Sequence, residues 1–260
     1  MNKAVKYTFA TIFACFTIFY LAASLGLSAK KRTETGCERL KVIIADSTKN
    51  HFVTPDDVKG YIDKEAPGYI GKPVGEIDLV KVEQIIDSKS AVMKSEAFVT
   101  KDGTLNIRVT QREPMIRFQK ADGGFYADCK GFLFPLQRNY TSHVPIVDGH
   151  IPLKAGAGFK GEVTDKAEKE WLDKMLALIR YIQDDKTLAR NIIQMSIREN
   201  GDIILVPRTG KEKFIFGTPD RFEEKFRRME HYYTAVVPEK GKDYYSTVNL
   251  KYDGQIVCRQ

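Results

Sequence analysis

The sequence predicts an α+β protein with one apolar N-terminal helix, a β-α-α-β-β module, and a larger, mostly antiparallel strand module with two amphipathic helices. Three observations predict this order. An uncharged run lies near the start of the chain. Strand and helix periodicities then alternate over about 70 residues. After Pro114, short apolar strands separated by glycine turns predominate. A hydrophobic content of 43% and an aromatic content of 11% indicate packed cores rather than a disordered chain.

The uncharged run is Tyr7–Ala29, which is 23 residues long and contains no Asp, Glu, Lys or Arg. As a helix rising about 1.5 Å per residue it would cross a hydrocarbon core of about 30 Å. We therefore predict a transmembrane helix at 7–29, preceded by a short tail at 1–6 and followed by a polar linker at 30–39. A cleaved signal peptide and a buried core helix remain alternatives, although a signal-peptide apolar region is usually only about 7–15 residues long.

The charges and cysteines limit the functional classes. Lysines and arginines flank the uncharged run on both sides, so counting them does not fix its orientation. The net charge of +7 is dispersed among acidic residues, which predicts solvated faces and no nucleic-acid partner. Cys37, Cys129 and Cys258 are widely spaced without a CxxC pair. This spacing indicates neither a disulfide framework nor a zinc site, and one disulfide among the three remains open.

The first module is predicted at 40–112. Leu40, Val42 and Ile44 alternate as in a half-buried strand. Thr54-Pro55 and Asp78 are typical helix starts, because a capping oxygen precedes an apolar helical face at each. An extended stretch from Val92 to Thr100 follows, then a hairpin turn at 101–103 and a final alternating strand that ends at Thr110.

The second module is predicted at 113–260 as a mostly antiparallel β domain. Its two amphipathic helices lie at about 164–184 and from Thr218-Pro219-Asp220 to about Val236, and we predict that both pack on a sheet. The predicted strands are Met115–Phe118, Phe125–Asp128, Phe132–Leu136, Val144–Val147, Ile192–Ile197, Ile203–Val206, Phe214–Phe216 and Ser246–Tyr252.

Catalytic and metal-binding patterns are weak. His143, Asp148, His150 and Cys129 form the only candidate cluster, and the two histidines lack the i, i+4 spacing of a helical metal site. The G-x-G-x-x-G match at 156–161 has no strand directly before it and no parallel βαβ unit around it. We therefore predict no catalytic residue, no cofactor, no metal and no small-molecule substrate. The positive prediction must rest on protein interaction.

The order of modules, together with several short motifs, resembles the bacterial cell-division family FtsQ/DivIB. In that family the first module is a POTRA domain and the second is the FtsQ-type β domain. Two departures are Asn249 and Lys251, which stand where the family commonly has Asp and Arg. The resembling segments are Gly71–Val74 with Ile77–Leu79, Thr104–Val109 with Arg112–Pro114, Asp128–Phe132, Val144–Gly149, Phe216-Gly217 and Val248–Asp253.

The resemblance implies a non-catalytic divisome scaffold that recruits or connects FtsB, FtsL and other septal proteins. It implies a single-pass protein of the bacterial inner membrane, with its N-terminus in the cytoplasm and its bulk in the periplasm at the division septum. It also implies that the first module helps to localise the protein there.

The resemblance further implies that the final strand of the β domain pairs with a strand of FtsB. A last strand is expected at a sheet edge, where unpaired backbone groups can accept a partner strand. Tyr252 occupies the place of the family's interface aromatic. The alternative for Val248 and Leu250 is that both belong to the domain core. The predicted partner-binding residues are Val248, Asn249, Leu250, Lys251 and Tyr252.

Two other functional classes remain as alternatives. The first is a membrane-anchored cell-envelope enzyme, such as a peptidoglycan hydrolase, that uses His143, Asp148 and His150. The second is a POTRA chaperone of outer-membrane assembly, against which the single POTRA-like module and the lack of a long run of barrel strands argue.

Overall fold

The computed structural model describes residues 12–23, 36–48 and 50–260. Residues 12–23 are helical (α1) and lie inside the predicted transmembrane helix 7–29, whose two ends fall outside the described residues. The predicted tail at 1–6 also lies outside them, as does most of the predicted linker. No helix within the described part of the chain combines the length and the apolar content of a membrane span. Contacts divide the chain into two compact units, Met1–Gln111 and Arg112–Gln260.

The first unit has a three-stranded sheet and two α-helices in the predicted order β-α-α-β-β. The central strand β3 is parallel to β1 and antiparallel to β2. The predicted mixed α+β character of this module is confirmed. Its elements are β1 (Arg39–Ile44), α2 (Pro55–Glu65), a 3-10 turn (Val74–Glu76), α3 (Leu79–Asp87), β2 (Val92–Val99) and β3 (Thr104–Gln111).

The sequence signals for these elements act as predicted. Thr54 caps α2 in a reciprocal capping box with Asp57, and the Asp78 carboxylate caps α3 by accepting from the Lys81 amide at 2.9 Å. These side chains supply acceptors for helix-start amides that have no partner within the helix. Gly103, with φ 75°, forms the turn between β2 and β3. The alternating residues Leu105, Ile107 and Val109 are fully buried and form the sheet side of the core.

The second unit is built on a ten-stranded sheet in the order β13-β12-β11-β10-β9-β7-β4-β5-β6-β8. Six of its nine strand pairings are antiparallel, which confirms the predicted mostly antiparallel sheet. Its strands are β4 (Pro114–Lys120), β5 (Gly123–Asp128), β6 (Phe132–Pro135), β7 (Ile146–Gly149), β8 (Gly161–Glu162), β9 (Ile192–Ile197), β10 (Ile203–Pro207), β11 (Lys213–Gly217), β12 (Thr247–Asn249) and β13 (Val257–Arg259).

Two amphipathic helices pack on this sheet, as predicted. They are α4 (Lys166–Asp184) and α6 (Phe222–His231), and their rings meet where Tyr181 stacks on Phe226 with centroids 5.4 Å apart. Three shorter helical segments are α5 (Lys186–Asn191), a π-helical segment (Tyr232–Val236) and α7 (Val237–Lys240). The helix residues in the core are Leu172, Met175, Leu176, Leu178, Ile179, Ile182, Phe226 and Met229.

The predicted start of the second of these helices is wrong by four residues. The helix begins at Phe222, and Arg221 before it has φ 50° with no side-chain cap. Asp220 pairs instead with Lys174 of α4 at 3.1 Å, and the Thr218 carbonyl accepts from the buried Lys225 ammonium at 2.7 Å. The start signal was present in the sequence, but Lys174 of α4 binds the Asp220 carboxylate and Lys225 of the helix itself binds the Thr218 carbonyl, and the helix begins only after them.

Two of the motif segments meet in a buried charge pair. Arg112 contacts the Asp128 carboxylate at 3.0 Å, and its guanidinium lies 3.4 Å from the centre of the Phe132 ring. The other Asp128 oxygen accepts from the amides of Lys130 and Phe132 at 2.9 Å and 3.0 Å. Asp128 therefore fixes the β5–β6 turn and neutralises Arg112 at the start of β4.

Candidate partner-binding surface

The predicted strand Ser246–Tyr252 is shorter than expected and does not form the sheet edge. Only Thr247–Asn249 forms a strand, β12, and it is parallel to β11 on one side and antiparallel to β13 on the other. The edge at this end of the sheet belongs to β13 (Val257–Arg259), which was not predicted. The assignment of Ser246–Tyr252 as the edge strand is therefore wrong, because a later segment of the same chain already pairs with it.

The structure places Val248 and Leu250 in the core. Both are fully buried in the cluster of the second unit, and Val248 lies in register with Phe214. The Leu250 amide donates to the Ile215 carbonyl at 2.9 Å, which continues the contact with β11 beyond the strand. The alternative reading, that these two residues are core, describes their environment.

Asn249 and Lys251 are both held by local partners. The Asn249 side chain accepts from the Lys251 amide at 2.9 Å, which turns the backbone away from the strand. The Lys251 ammonium reaches both oxygens of Asp202, at 2.9 Å and 3.0 Å, and Asp202 is almost buried. A carboxylate with so little access to water needs such a cationic partner.

Tyr252 is the exposed aromatic member of the predicted set, with 48% of its surface accessible. It lies in the turn that joins β12 to β13, next to Asp253. A tyrosine ring here offers apolar area together with a hydroxyl that can keep its hydrogen bonds. Of the five predicted residues, the two apolar ones therefore stabilise the domain, while Tyr252 is available to a partner.

A clamp from α6 and the residue before it holds the start of this turn. Arg228 donates from two nitrogens to the Leu250 carbonyl, at 3.2 Å and 3.0 Å, and Arg221 pairs with Asp253 at 2.8 Å. The bond from Arg221 lowers the pKa of the exposed Asp253 carboxyl below its usual range. The sequence analysis missed both arginines, since these contacts join residues 22 and 32 positions apart.

Burial shifts two titratable groups near this end of the sheet. Desolvation lowers the pKa of the Lys225 ammonium, which lies 5.0 Å from the centre of the Phe216 ring. Desolvation raises the pKa of the Cys258 thiol in β13, so this thiol is less ionised than an exposed one at neutral pH. Neither group is paired as a nucleophile would be with a neighbouring base.

An open groove of about 560 Å³ runs beside the β12–β13 turn. Most of the α6 side of the groove is charged, whereas the turn side contributes Gly254, Gln255 and Ile256. The lining residues from α6 and the segment after it are Glu224, Arg227, Arg228, His231 and Val236.

The alternative catalytic cluster is not assembled as a metal site. Asp148 accepts from the Gln194 side chain in the neighbouring strand, while His143 and His150 are exposed. Across residues 12–23, 36–48 and 50–260, no three His, Cys, Asp or Glu side chains are grouped as metal ligands.

Two family models match the chain over nearly all of both modules. Residues 113–259 match the model described as FtsQ/DivIB, C-terminal related, and residues 35–110 match the POTRA-like domain model. The first match alone spans more than half of the 260 residues and includes both β12 and β13. No curated protein matches the sequence.

Proposed function

This chain belongs to the FtsQ/DivIB, C-terminal related family, and on that premise we propose that it is a non-catalytic scaffold that recruits or connects FtsB, FtsL and other septal proteins. The family itself implies a scaffold role in cell division. The match over residues 113–259 is the observation that carries the proposal, because it covers the whole β domain with its C-terminal hairpin.

The proposed binding surface is the C-terminal edge of the ten-stranded sheet with Tyr252 beside it. A partner segment would add a strand there through backbone hydrogen bonds, and the tyrosine ring would fill a partner pocket. The exposure of Tyr252 supports this proposal, as do the contacts of Arg221 and Arg228 with the turn on which Tyr252 lies.

We also propose that the chain is anchored in the bacterial inner membrane by Tyr7–Ala29, with its bulk in the periplasm at the septum. The support is the 23-residue uncharged run in the sequence. The POTRA-like domain at 35–110 would contribute to localisation at the division site. No observation favours the envelope-enzyme alternative.

A substitution of Tyr252 tests the proposed surface. Tyr252→Glu places a charge on the exposed ring position and is expected to reduce capture of FtsB by at least about 10-fold, since buried interface aromatics often contribute more than about 2 kcal/mol. Capture is measured by co-purification of the full chain with tagged FtsB from detergent-solubilised membranes. The domain should stay folded, because Tyr252 is exposed.

Phe159→Glu is the matched control. Phe159 is an aromatic residue with 38% exposure that lies just before β8, at the other end of the sheet. It should leave FtsB capture unchanged. Equal capture by wild type and Tyr252→Glu would reject the proposed surface.

Depletion of the protein in its host should give filamentous cells with unfinished septa, and normal division would reject the scaffold function.

A further inference from the structure

We propose that β13 is a displaceable latch, which pairs with β12 in the closed protein and is replaced there by the strand of a partner protein. This inference rests on the proposed function and specifies how its surface is regulated. It assigns the partner strand to β12 rather than to the outer side of β13. The occupant is an extended protein segment, since the chain's own residues Val257–Arg259 are already seated there as a strand.

Strand β13 makes few contacts with the rest of the domain. It is three residues long and pairs with a single neighbouring strand, β12. Val257 is 36% exposed and Arg259 is exposed, while Cys258, together with Ile256 just before the strand, packs only partly against the core. Within the described part of the chain, no ion pair involves a residue of β13. Such segments open with the lowest free energies in a native protein.

Strand β12, by contrast, is held in the sheet by buried residues and by its pairing with β11, and not by β13 alone. Val248 in the strand and Leu250 just after it are fully buried. All three β12 residues are in register with β11, which is itself central in the sheet. Release of β13 would therefore leave β12 in place with one row of unpaired backbone groups. An unpaired edge of this kind is the structure that accepts an added strand.

In the β12–β13 turn, residues up to Asp253 are held by side-chain contacts, and Gly254 directly after them is not. The buried Asp202 holds Lys251 and Arg228 holds the Leu250 carbonyl, while Arg221 adds an exposed ion pair with Asp253. Gly254 comes directly after this clamp with φ 68° and open space around it. The clamp therefore ends where a flexible residue begins, so the segment from Gly254 onward can swing out without disturbing Tyr252.

The contacts of β13 in the closed protein indicate which residue types the replacing segment needs. Cys258 faces the core beside Val248, whereas Val257 is about a third exposed and Arg259 is exposed. The incoming strand should therefore place a small or medium apolar residue at the Cys258 position and tolerate polar residues on both sides. Release of Gly254, Gln255 and Ile256 also opens one wall of the groove beside α6, where the flank of the partner segment can bind.

Amide hydrogen exchange on the full chain tests the latch without a partner. The β13 amides should exchange at least about 10-fold faster than the β11 amides, because local opening requires less free energy than global unfolding. A variant truncated after Asp253 should bind a synthetic peptide of residues 254–260 in trans, and the wild type should bind it about 10-fold more weakly if about a tenth of its molecules are open. Equal protection of β13 and β11, together with failure of the truncated variant to bind the peptide, would overturn the latch.

Capture of FtsB by three forms of the protein then tests the role of the latch in binding. The forms are wild type, the variant truncated after Asp253, and Thr247→Cys/Arg259→Cys, which places a cysteine pair at a facing β12–β13 position. The last variant is made with Cys129→Ser and Cys258→Ala, so that oxidation locks the latch through the new pair while the position facing the core stays apolar. The affinity of the truncated form should exceed that of the wild type by about 10-fold if about a tenth of wild-type molecules are open. The oxidised form should lose capture, and reduction should restore it.

The outcomes distinguish failure of the latch from failure of the proposed scaffold function. Equal capture by the truncated, wild-type and locked forms would overturn the latch while supporting the scaffold function. Loss of capture on truncation would show that β13 is itself the docking strand and would also overturn the latch. Absence of capture in all forms, including the reduced one, would reject the proposed FtsB partner and with it the role of the latch in binding.

Discussion

At the residue scale, Arg112 and Asp128 show how two distant motif segments depend on each other. The side chains are only 13% and 8% exposed, and the carboxylate accepts two backbone amides besides the guanidinium. Two ions withdrawn from water gain little net stability as a pair, but either one alone in the same place is costly. The motif residues are therefore explained by folding rather than by partner binding.

Arg112→Ala is expected to lower the free energy of unfolding by about 3 kcal/mol, because it leaves the Asp128 carboxylate buried without its cation. The measurement is urea unfolding at neutral pH, followed by the fluorescence of the single tryptophan, Trp171, which lies in the second unit. The double variant Arg112→Ala/Asp128→Asn should recover part of the loss, since no unpaired charge then remains.

Lys94→Ala provides the comparison for an exposed pair. Lys94 contacts Glu96 at 2.7 Å, but the two side chains are 63% and 53% exposed. Lys94 lies in the first unit, which has no tryptophan, so its removal is followed by far-ultraviolet circular dichroism during urea unfolding, and the midpoint should change very little. A loss as large as that of Arg112→Ala would contradict the assignment of the difference to burial.

At the element scale, the sequence predicted most strands of both modules but not the length of the strand that begins at Ser246. Val248, Leu250 and Tyr252 alternate in a way that predicts a strand up to Tyr252, yet β12 ends at Asn249. It ends there because the Asn249 side chain binds the Lys251 amide, and Arg228 binds the Leu250 carbonyl. Periodicity reports which face is apolar, whereas a strand also requires a backbone partner at each position.

The elements that the sequence did not predict are all short. Strands β8 and β13 have two and three residues, and α5 has six. A pattern of period two or 3.6 needs more residues than this to be recognised. The core faces of α4 and α6 were predictable for the opposite reason, since each helix spans several turns with apolar residues on one side. At the C-terminal end of the sheet, the sequence therefore predicted a strand that includes residues 247–249 but not β13, which pairs with it.

Gly217, the last residue of β11, lies close to the side chain of Lys251 in the β12–β13 turn. It has φ 79°, and a methyl group added there would lie 3.1 Å from the Lys251 side chain. Gly217→Ala is expected to cost about 1–2 kcal/mol for the left-handed backbone, and more because it displaces Lys251 from Asp202. Urea unfolding measures the loss.

Gly201→Ala isolates the backbone contribution. Gly201 has φ 81° but open space where the methyl group would be. It should therefore show the conformational cost without the steric one. If both variants lost the same stability, the contact of residue 217 with Lys251 would contribute nothing.

At the scale of the whole molecule, each of the two compact units has its own buried core. Gln111, the last residue of the first unit, is bound within that unit. Its side chain donates to the Asn50 carbonyl and accepts from the Val53 amide, both at 2.8 Å. The first unit therefore fixes its own last residue, while Arg112 is fixed by Asp128 in the second.

Fragments 36–111 and 112–260 are accordingly expected to fold separately. Each should give dispersed amide spectra that overlay on the corresponding signals of the intact chain, because the core of each is complete. A fragment 36–103, which lacks the central strand β3, should not fold. Unfolded spectra for 36–111 or 112–260 would contradict the independence of the two units.

The ten-stranded sheet ends in two very short strands, β8 with two residues and β13 with three. Long, flat edges promote edge-to-edge aggregation, and short edge strands are one way in which natural sheets avoid it. Strand β12 is also only three residues long. The same brevity that makes β13 easy to release therefore leaves little edge for the growth of fibrils, whether the hairpin is closed or open.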